Sequence, residues 1–291
     1  MKEIRLKARA KINISLDVTG RRDNGYHDVL MIMQTINLYD KLMLRKQKEN
    51  RITIHTNLHY LPTDERNLVY KIIRYFKVTY QIEDGVYVDL YKMIPVAAGM
   101  AGGSSDAAQT IIGMNKLFQL KLSLDEMLKI GEQFGADIPY CILQGTVLAS
   151  GLGEELEILD PFPKAHVLIA KPRFSVSTPA VYQRYDQIST SEHPDTEALL
   201  DYIKDQDIKG ICQNLGNVLE AVTIDMYPEI EQIKDKMLEL GAEGSLMSGS
   251  GPTVYGLFTD KKKAEQAKKK LCKEHKLQFV YLTTIYNRKR D

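Results

Sequence analysis

Pro95-Val96-Ala97-Ala98-Gly99-Met100-Ala101-Gly102-Gly103-Ser104-Ser105-Asp106-Ala107-Ala108 is a glycine-rich loop running into a helical pattern, with Ile111, Ile112 and Leu117 continuing the apolar face. Glycines without side chains let a backbone wrap closely around an anion. The helix that follows turns its free N–H groups and positive dipole end toward the same place. The expected guest is a di- or triphosphate, with the two serines as hydroxyl donors to phosphate oxygens or as a ligand to Mg2+. Standing alone, Gly-Gly-Ser-Ser also reads as an ordinary turn capped by serine. Other phosphate and hydrolase signatures are missing from the sequence: Gly-x4-Gly-Lys-Ser/Thr, Gly-x-Gly-x-x-Gly after a strand, Gly-x-Ser-x-Gly and His-Glu-x-x-His.

Upstream of this loop the chain reads as strands joined by polar turns. Lys11–Val18 alternates, Asp23-Asn24-Gly25 marks a turn, and Arg51–Thr56 and Val86–Tyr91 are β-branched or aromatic runs. Leu68, Ile72, Ile73 and Phe76 recur at helical spacing and predict a helix over 66–80. Downstream, Ser123-Leu124-Asp125-Glu126 predicts a capping box, with Gly135 as the left-handed cap that closes its helix. Pro161-Phe162-Pro163 precedes an apolar strand at 165–170 and places a domain boundary there, giving domains 1–160 and 161–291. Helices are expected over 178–185, 192–208, 211–221, 228–240 and 262–275, with strands over 245–247, 254–258 and 278–283, an α+β pattern.

The bulk numbers set limits. At 291 residues the chain is long enough for one large or two medium domains. With 44% hydrophobic and 26% charged residues and a net charge of +1, its composition is globular and argues against nucleic acid as the main partner. Three dispersed cysteines, without CxxC or a Cys/His cluster, fit a reducing cytoplasmic setting, and no metal ligands are assigned. Residues 1–16 lack the apolar core of an export signal, and no apolar run approaches the roughly 20 residues of a membrane span. A soluble protein without a membrane partner is expected. The lysine-rich run 261–276 interleaves Ala264, Ala267 and Leu271 at helical spacing and reads as a solvated amphipathic face.

The loop Pro95–Ala108 resembles the second motif of the GHMP kinases. Ala8-Arg9-Ala10-Lys11-Ile12-Asn13 is similar to their first motif, and Leu246-Met247-Ser248-Gly249-Ser250-Gly251-Pro252-Thr253-Val254 to their third, in the right order over nearly the whole chain. The resemblance implies an α+β, two-domain fold, with an N-terminal ribosomal-S5-domain-2-like nucleotide-binding domain and a C-terminal ferredoxin-like domain. It also implies ATP and Mg2+, with Pro95 to Ser105 as the nucleotide-binding segment. Lys11-Ile12-Asn13, Asn24-Gly25-Tyr26-His27, Gly135-Ala136-Asp137-Ile138-Pro139 and Gly151-Leu152-Gly153-Glu154 resemble one branch in particular. That branch phosphorylates the 2-hydroxyl of a cytidine-diphosphate-linked methylerythritol in the non-mevalonate isoprenoid route.

The chemistry such a transfer needs matches the residues. An attacking hydroxyl requires a base or orienting acceptor, a cation and pinned phosphates. Asp137 and Lys11 are the catalytic candidates for the first two, although an aspartate there also suits a plain turn. Asn13 lies two residues after Lys11 on a strand and so shares its face, where it orients the hydroxyl or else sits on the solvent side. By resemblance Tyr26 and His27 hold the cytosine, and Met33 and Tyr182 line that pocket, although a buried Met or a helix-face Tyr equally suits the core. Asp137, Gly249 and Ser250 are expected to approach the substrate, the last two in a tight loop near its diphosphate, although that Gly-Pro stretch also suits a plain strand-connecting turn.

Where many family members have glycine, this chain has Ala98 and Ala101. Their methyl groups are expected to keep both positions out of left-handed backbone. Two other readings stay open: a GHMP kinase for another alcohol such as mevalonate or homoserine, and a non-catalytic binding module on the same fold.

Overall fold

Alternating apolar residues extend much further than the short runs suggest, and they build two strands of unusual length, β1 (Glu3–Arg21) and β2 (His27–Gln47). There follow β3 (Ile52–Thr56), α1 (Leu68–Thr79), β4 (Gly85–Tyr91), α2 (Gly102–Phe118), α3 (Leu124–Glu132), α4 (Asp137–Leu143), β5 (Thr146–Ser150) and β6 (Glu155–Ile158). The remainder comprises β7 (His166–Lys171), α5 (Thr178–Tyr185), α6 (Thr196–Lys204), α7 (Ile208–Gln213), β8 (Gly216–Asn217), α8 (Glu220–Met226), α9 (Glu229–Glu239), β9 (Gly244–Met247), β10 (Val254–Phe258), α10 (Lys261–Glu274) and β11 (Phe279–Thr284). This computed structural model describes residues 2–188, 193–274 and 277–288. Among them, no helix is long and apolar enough to cross a membrane.

The chain forms two compact units that are interleaved in sequence. Unit one comprises Met1–Ala10, Leu38–Val96 and Ala101–Leu143; unit two comprises Lys11–Asn37, Ala97–Met100 and Gln144–Asp291. Each long strand therefore gives one half to each unit.

In unit one, β3, β4, β2 and β1 lie side by side in that order. β3 runs parallel to β4 with Ile52 opposite Val86, and β4 runs antiparallel to β2 with Leu90 opposite Leu42. The helix α1 starts at Asn67, whose side chain accepts from Val69 N, and buries Val69, Ile72, Ile73 and Phe76. The helix α2 comes so close to the sheet that a Cβ on Gly113 would lie 2.3 Å from Leu44 Cδ1. Its other core residues include Ala107, Ala108, Ile111 and Met114.

The capping box forms as expected: Ser123 Oγ accepts from Glu126 N at 3.2 Å, and Glu126 Oε2 accepts from Ser123 N at 2.7 Å. The expected end of that helix is corrected. α3 closes at Gln133 in right-handed backbone, and the chain turns at once into α4, a helix the sequence pattern did not assign. Pro139 is the reason it was missed, although in a first turn its missing N–H has no helical partner to lose.

In unit two, β2 pairs with β5 (Met33 opposite Val147), β5 with β6, and β1 with β8 in parallel (Ser15 opposite Gly216). The second sheet is antiparallel in the order β11-β7-β10-β9, the 4-1-3-2 order of a ferredoxin-like sheet. The helices α9 and α10 pack on it. Two helix expectations are corrected here. The 192–208 pattern gives α6 and α7 with a break between them, and 211–221 is interrupted by β8. Asp207 causes the break by capping α7, accepting from Lys209 N and Gly210 N. Residues 192 and 275 of the expected helices, and 276 of the lysine-rich run, lie outside the described residues.

Candidate active site

Strand alternation puts Lys11 and Asn13 on one face of β1, and both are buried, at 6% and 0% exposure. Asn13 is thus not on a solvent side. Lys11 Nζ donates to Asn13 Oδ1 at 2.5 Å, and the same oxygen accepts from Gly249 N at 3.0 Å. The Asn13 amide nitrogen faces Met31 Sδ at 3.4 Å, and its backbone oxygen accepts from Tyr255 Oη at 2.8 Å. Burying an ammonium is costly unless it is paired, so these bonds fix where its charge sits.

The third motif forms a loop between β9 and β10 with Gly249 at φ 61 and Gly251 at φ 85, values that favour glycine. Polar side chains clamp it. Asn217 Nδ2 donates to Met247 O and Gly249 O at 2.9 and 2.8 Å, and Glu220 Oε1 accepts from Met247 N at 2.7 Å. Ser250 Oγ lies 2.7 Å from Thr178 Oγ1. The loop also meets part of the glycine-rich segment: Ser248 Oγ donates to Gly99 O at 2.9 Å, and Lys11 N donates to Met100 O at 3.2 Å. Gly99 has φ 69, and a Cβ on it would lie 2.2 Å from Ser248 O. Within unit two, then, pieces of all three motifs, far apart in sequence, touch one another.

Unit one carries the rest of the glycine-rich loop. Here one expectation is overturned: Ala101 is left-handed, at φ 53 and ψ 30, and caps α2; Ala97 is left-handed too, at φ 50. Ala98 does avoid that region and is buried. The turn needs a left-handed residue before α2, and helix formation outweighs the methyl group's cost. A Cβ on Gly103 would meet nothing within 4 Å, so the backbone at the start of α2 is open. Ser104 is half-buried beside it, and Pro95 and Val96 lead in, Val96 exposed. Ser105 Oγ and Asp106 Oδ1 are buried without a hydrogen-bond partner.

The sequence reading missed the anchor beneath this loop. Lys92 Nζ donates to Asp40 and to Asp106, the latter at 2.6 Å. Asp40 Oδ1 accepts from Met93 N and, at 2.8 Å, from Ile94 N. One buried triad therefore ties the approach to Pro95 and the start of α2 to β2. Burial pushes the Asp106 carboxyl up to about 8, with Lys92 opposing and Asp40 adding to the rise. Asp137, the first residue of α4, is half-buried, and its carboxylate meets no hydrogen-bond or ion-pair partner among the described residues.

The remaining candidates lie in unit two. Tyr26 follows Gly25 (φ 83) and is 65% exposed, its N–H held by Asn24 Oδ1 at 3.1 Å. The His27 ring packs on Tyr182 with centroids 4.9 Å apart and planes tilted 31°. Its Nε2 lies 2.6 Å from Asp186 Oδ1. Met33, by contrast, is fully buried in β2. Asp186 and Asn217 are functional candidates the sequence did not reveal, since each meets its partner only through the tertiary fold.

Residues 67–145 match the family described as "GHMP kinases N terminal domain" and residues 199–277 the one described as "GHMP kinases C terminal", so the class is that of the GHMP kinases. The chain is 49% identical over 286 residues to the 4-diphosphocytidyl-2-C-methyl-D-erythritol kinase of Lachnospira eligens, covering 98% of this chain and 99% of the relative. It is 53% identical over 264 residues to that of Lachnoclostridium phytofermentans, covering 91% of each. A crystal structure of 4-(cytidine 5'-diphospho)-2C-methyl-D-erythritol kinase superposes with a TM-score of 0.82 at 27% identity, over 98% of this chain and all of that one. The chain belongs to the 4-diphosphocytidyl-2-C-methyl-D-erythritol kinase family.

Proposed function

We propose that this chain transfers the terminal phosphoryl group of ATP to the 2-hydroxyl of 4-diphosphocytidyl-2-C-methyl-D-erythritol, in the non-mevalonate route to isoprenoid precursors. The relatives' names support the substrate. The observation that carries the chemistry is the knot in unit two, where Lys11, Asn13, Gly99, Met100, Ser248 and Gly249 are joined by hydrogen bonds. Phosphoryl transfer is mostly positioning and charge stabilisation, and a fixed buried cation beside rigid backbone supplies both.

In this reading the residues from Pro95 to Ser105 hold the ATP phosphates. Lys11 neutralises charge on the hydroxyl oxygen or the transferring group. Asn13 orients the hydroxyl, and Asp137 is its base or orienting acceptor. Tyr26, His27 and Tyr182 take the cytidine end, and Gly249 and Ser250 the diphosphate; Met33, fully buried in β2, serves the core instead. The partnerless Ser105 hydroxyl fits an oxygen-seeking cation that arrives with the nucleotide, so Ser104 and Ser105 would hold Mg2+. When bound, Mg2+ supplies neutralisation of the phosphate oxygens. Family matches that fall one on each side support 1–160 and 161–291 as the two family domains, a division by sequence that differs from the interleaved compact units. Three free cysteines support a cytoplasmic setting.

ADP release measured with this cytidyl substrate, mevalonate and homoserine tests the reading. Turnover of the cytidyl substrate alone is expected; turnover of another alcohol in its place would sink it, and no turnover with any would point to a binding module. Asp137→Asn and Lys11→Ala are each expected to lower kcat by about 100-fold to 10,000-fold with an unchanged circular dichroism spectrum. Near-normal turnover in either variant removes that residue from its role.

A further inference from the structure

His27 stands in an arrangement that determines which of its nitrogens carries a proton. Its side chain is 7% exposed and its Nε2 lies 2.6 Å from Asp186 Oδ1, while Arg21 Nη1 stands 3.4 Å from Asp186 Oδ2 on the far side of the carboxylate. Tyr182, one turn before Asp186, packs against the ring and limits its rotation. A carboxylate oxygen accepts and an imidazole N–H donates, so this contact commits the proton to Nε2. In the neutral ring Nδ1 is then a lone pair, an acceptor only.

We propose that Asp186 is a positioning residue that sets the pyrimidine selectivity of this kinase: by holding His27 as the Nε2–H tautomer, it makes Nδ1 an acceptor for the exocyclic amine of cytosine and a poor neighbour for the carbonyl of uracil. The inference rests on the cytidine reading above. Its physical content is a mismatch. Cytosine offers an N–H donor where uracil offers a second acceptor, and two acceptors facing each other at a site closed to water leave both unpaired. Discrimination on this principle is expected to be roughly tenfold or more in kcat/KM. If Asp186 becomes asparagine, its amide can turn its NH2 toward Nε2. The proton then moves to Nδ1, which becomes a donor and suits uracil.

Two measurements test this. Nitrogen-15 spectra of uniformly labelled wild-type protein read the His27 tautomer without any substrate. An unprotonated Nδ1 with a protonated Nε2 is expected, and a protonated Nδ1, as the other tautomer or as imidazolium, overturns the inference. Steady-state kinetics then compare the cytidyl substrate with its uridyl analogue in the wild type, Asp186→Asn and Asp186→Glu. Asp186→Asn should raise KM for the cytidyl substrate roughly tenfold, with a much smaller change in kcat, and narrow the cytidyl to uridyl ratio by a similar factor. Asp186→Glu should restore part of the ratio. A wild type that turns over the cytidyl substrate, paired with an Asp186→Asn variant of unchanged ratio, overturns the role of Asp186 alone. A wild type that ignores the cytidyl substrate overturns the functional reading, and this inference with it.

Discussion

An alanine at φ 53 and ψ 30 just before α2 holds the backbone where an L side chain presses on the following carbonyl, at a cost of about 1–2 kcal/mol. The strain sits at the start of the helix proposed to hold the nucleotide phosphates, a kind of place where strained backbone is often kept. Ala101→Gly should relieve most of it, less the extra entropy glycine gives the unfolded chain, for a net gain of roughly 0.5–1 kcal/mol. In a protein of this size that is a melting temperature higher by about 2 °C, read by differential scanning calorimetry. A lower melting temperature would show that the methyl group's packing outweighs the strain.

At the scale of elements, the approach of two loops matters most, and one position tests it. Gly99 combines φ 69 with a backbone oxygen, that of Ser248, 2.2 Å from where its Cβ would be. Neither partner is the end of a flexible side chain, so Gly99→Ala should destabilise the protein by more than about 2 kcal/mol in urea titration. Gly103→Ala, with open space around it and no positive φ, should stay within about 0.5 kcal/mol. Equal effects of the two would refute the close packing of the loops.

The same scale explains what was legible in advance. Ser123 and Glu126 reveal their capping box because both partners lie within one turn, and Lys11 and Asn13 reveal their common face because a strand alternates. The helix α4 stays hidden behind Pro139. The triad of Asp40, Lys92 and Asp106 and the pairing of His27 with Asp186 stay hidden because their partners are brought together only by folding. Ala101 misleads for the opposite reason: its local preference is real, and the loop overrides it.

For the whole molecule, the three cysteines report on compactness. Cys141 and Cys212 are buried and Cys272 is exposed. Burial, with Glu243 and Asp207 adding to it, pushes the Cys212 thiol up to about 12, so almost none of it is thiolate near pH 8. A chromogenic disulfide reagent at that pH should therefore titrate one thiol in the native protein and all three in denaturant; a second fast native thiol would contradict the packing around Cys212.

The interleaving of the two units has a further consequence on the ribosome. Unit one is complete once residue 143 has emerged, whereas unit two needs the Lys11–Asn37 segment made near the start and everything from Gln144 onward. At about 5–20 residues per second, that early segment waits on the order of 10 s for its partners. Throughout that interval Ile12, Ile14, Leu16, Ile32 and Met33 lack the later neighbours that help bury them, which makes the stretch a natural client for whatever chaperone meets the nascent chain.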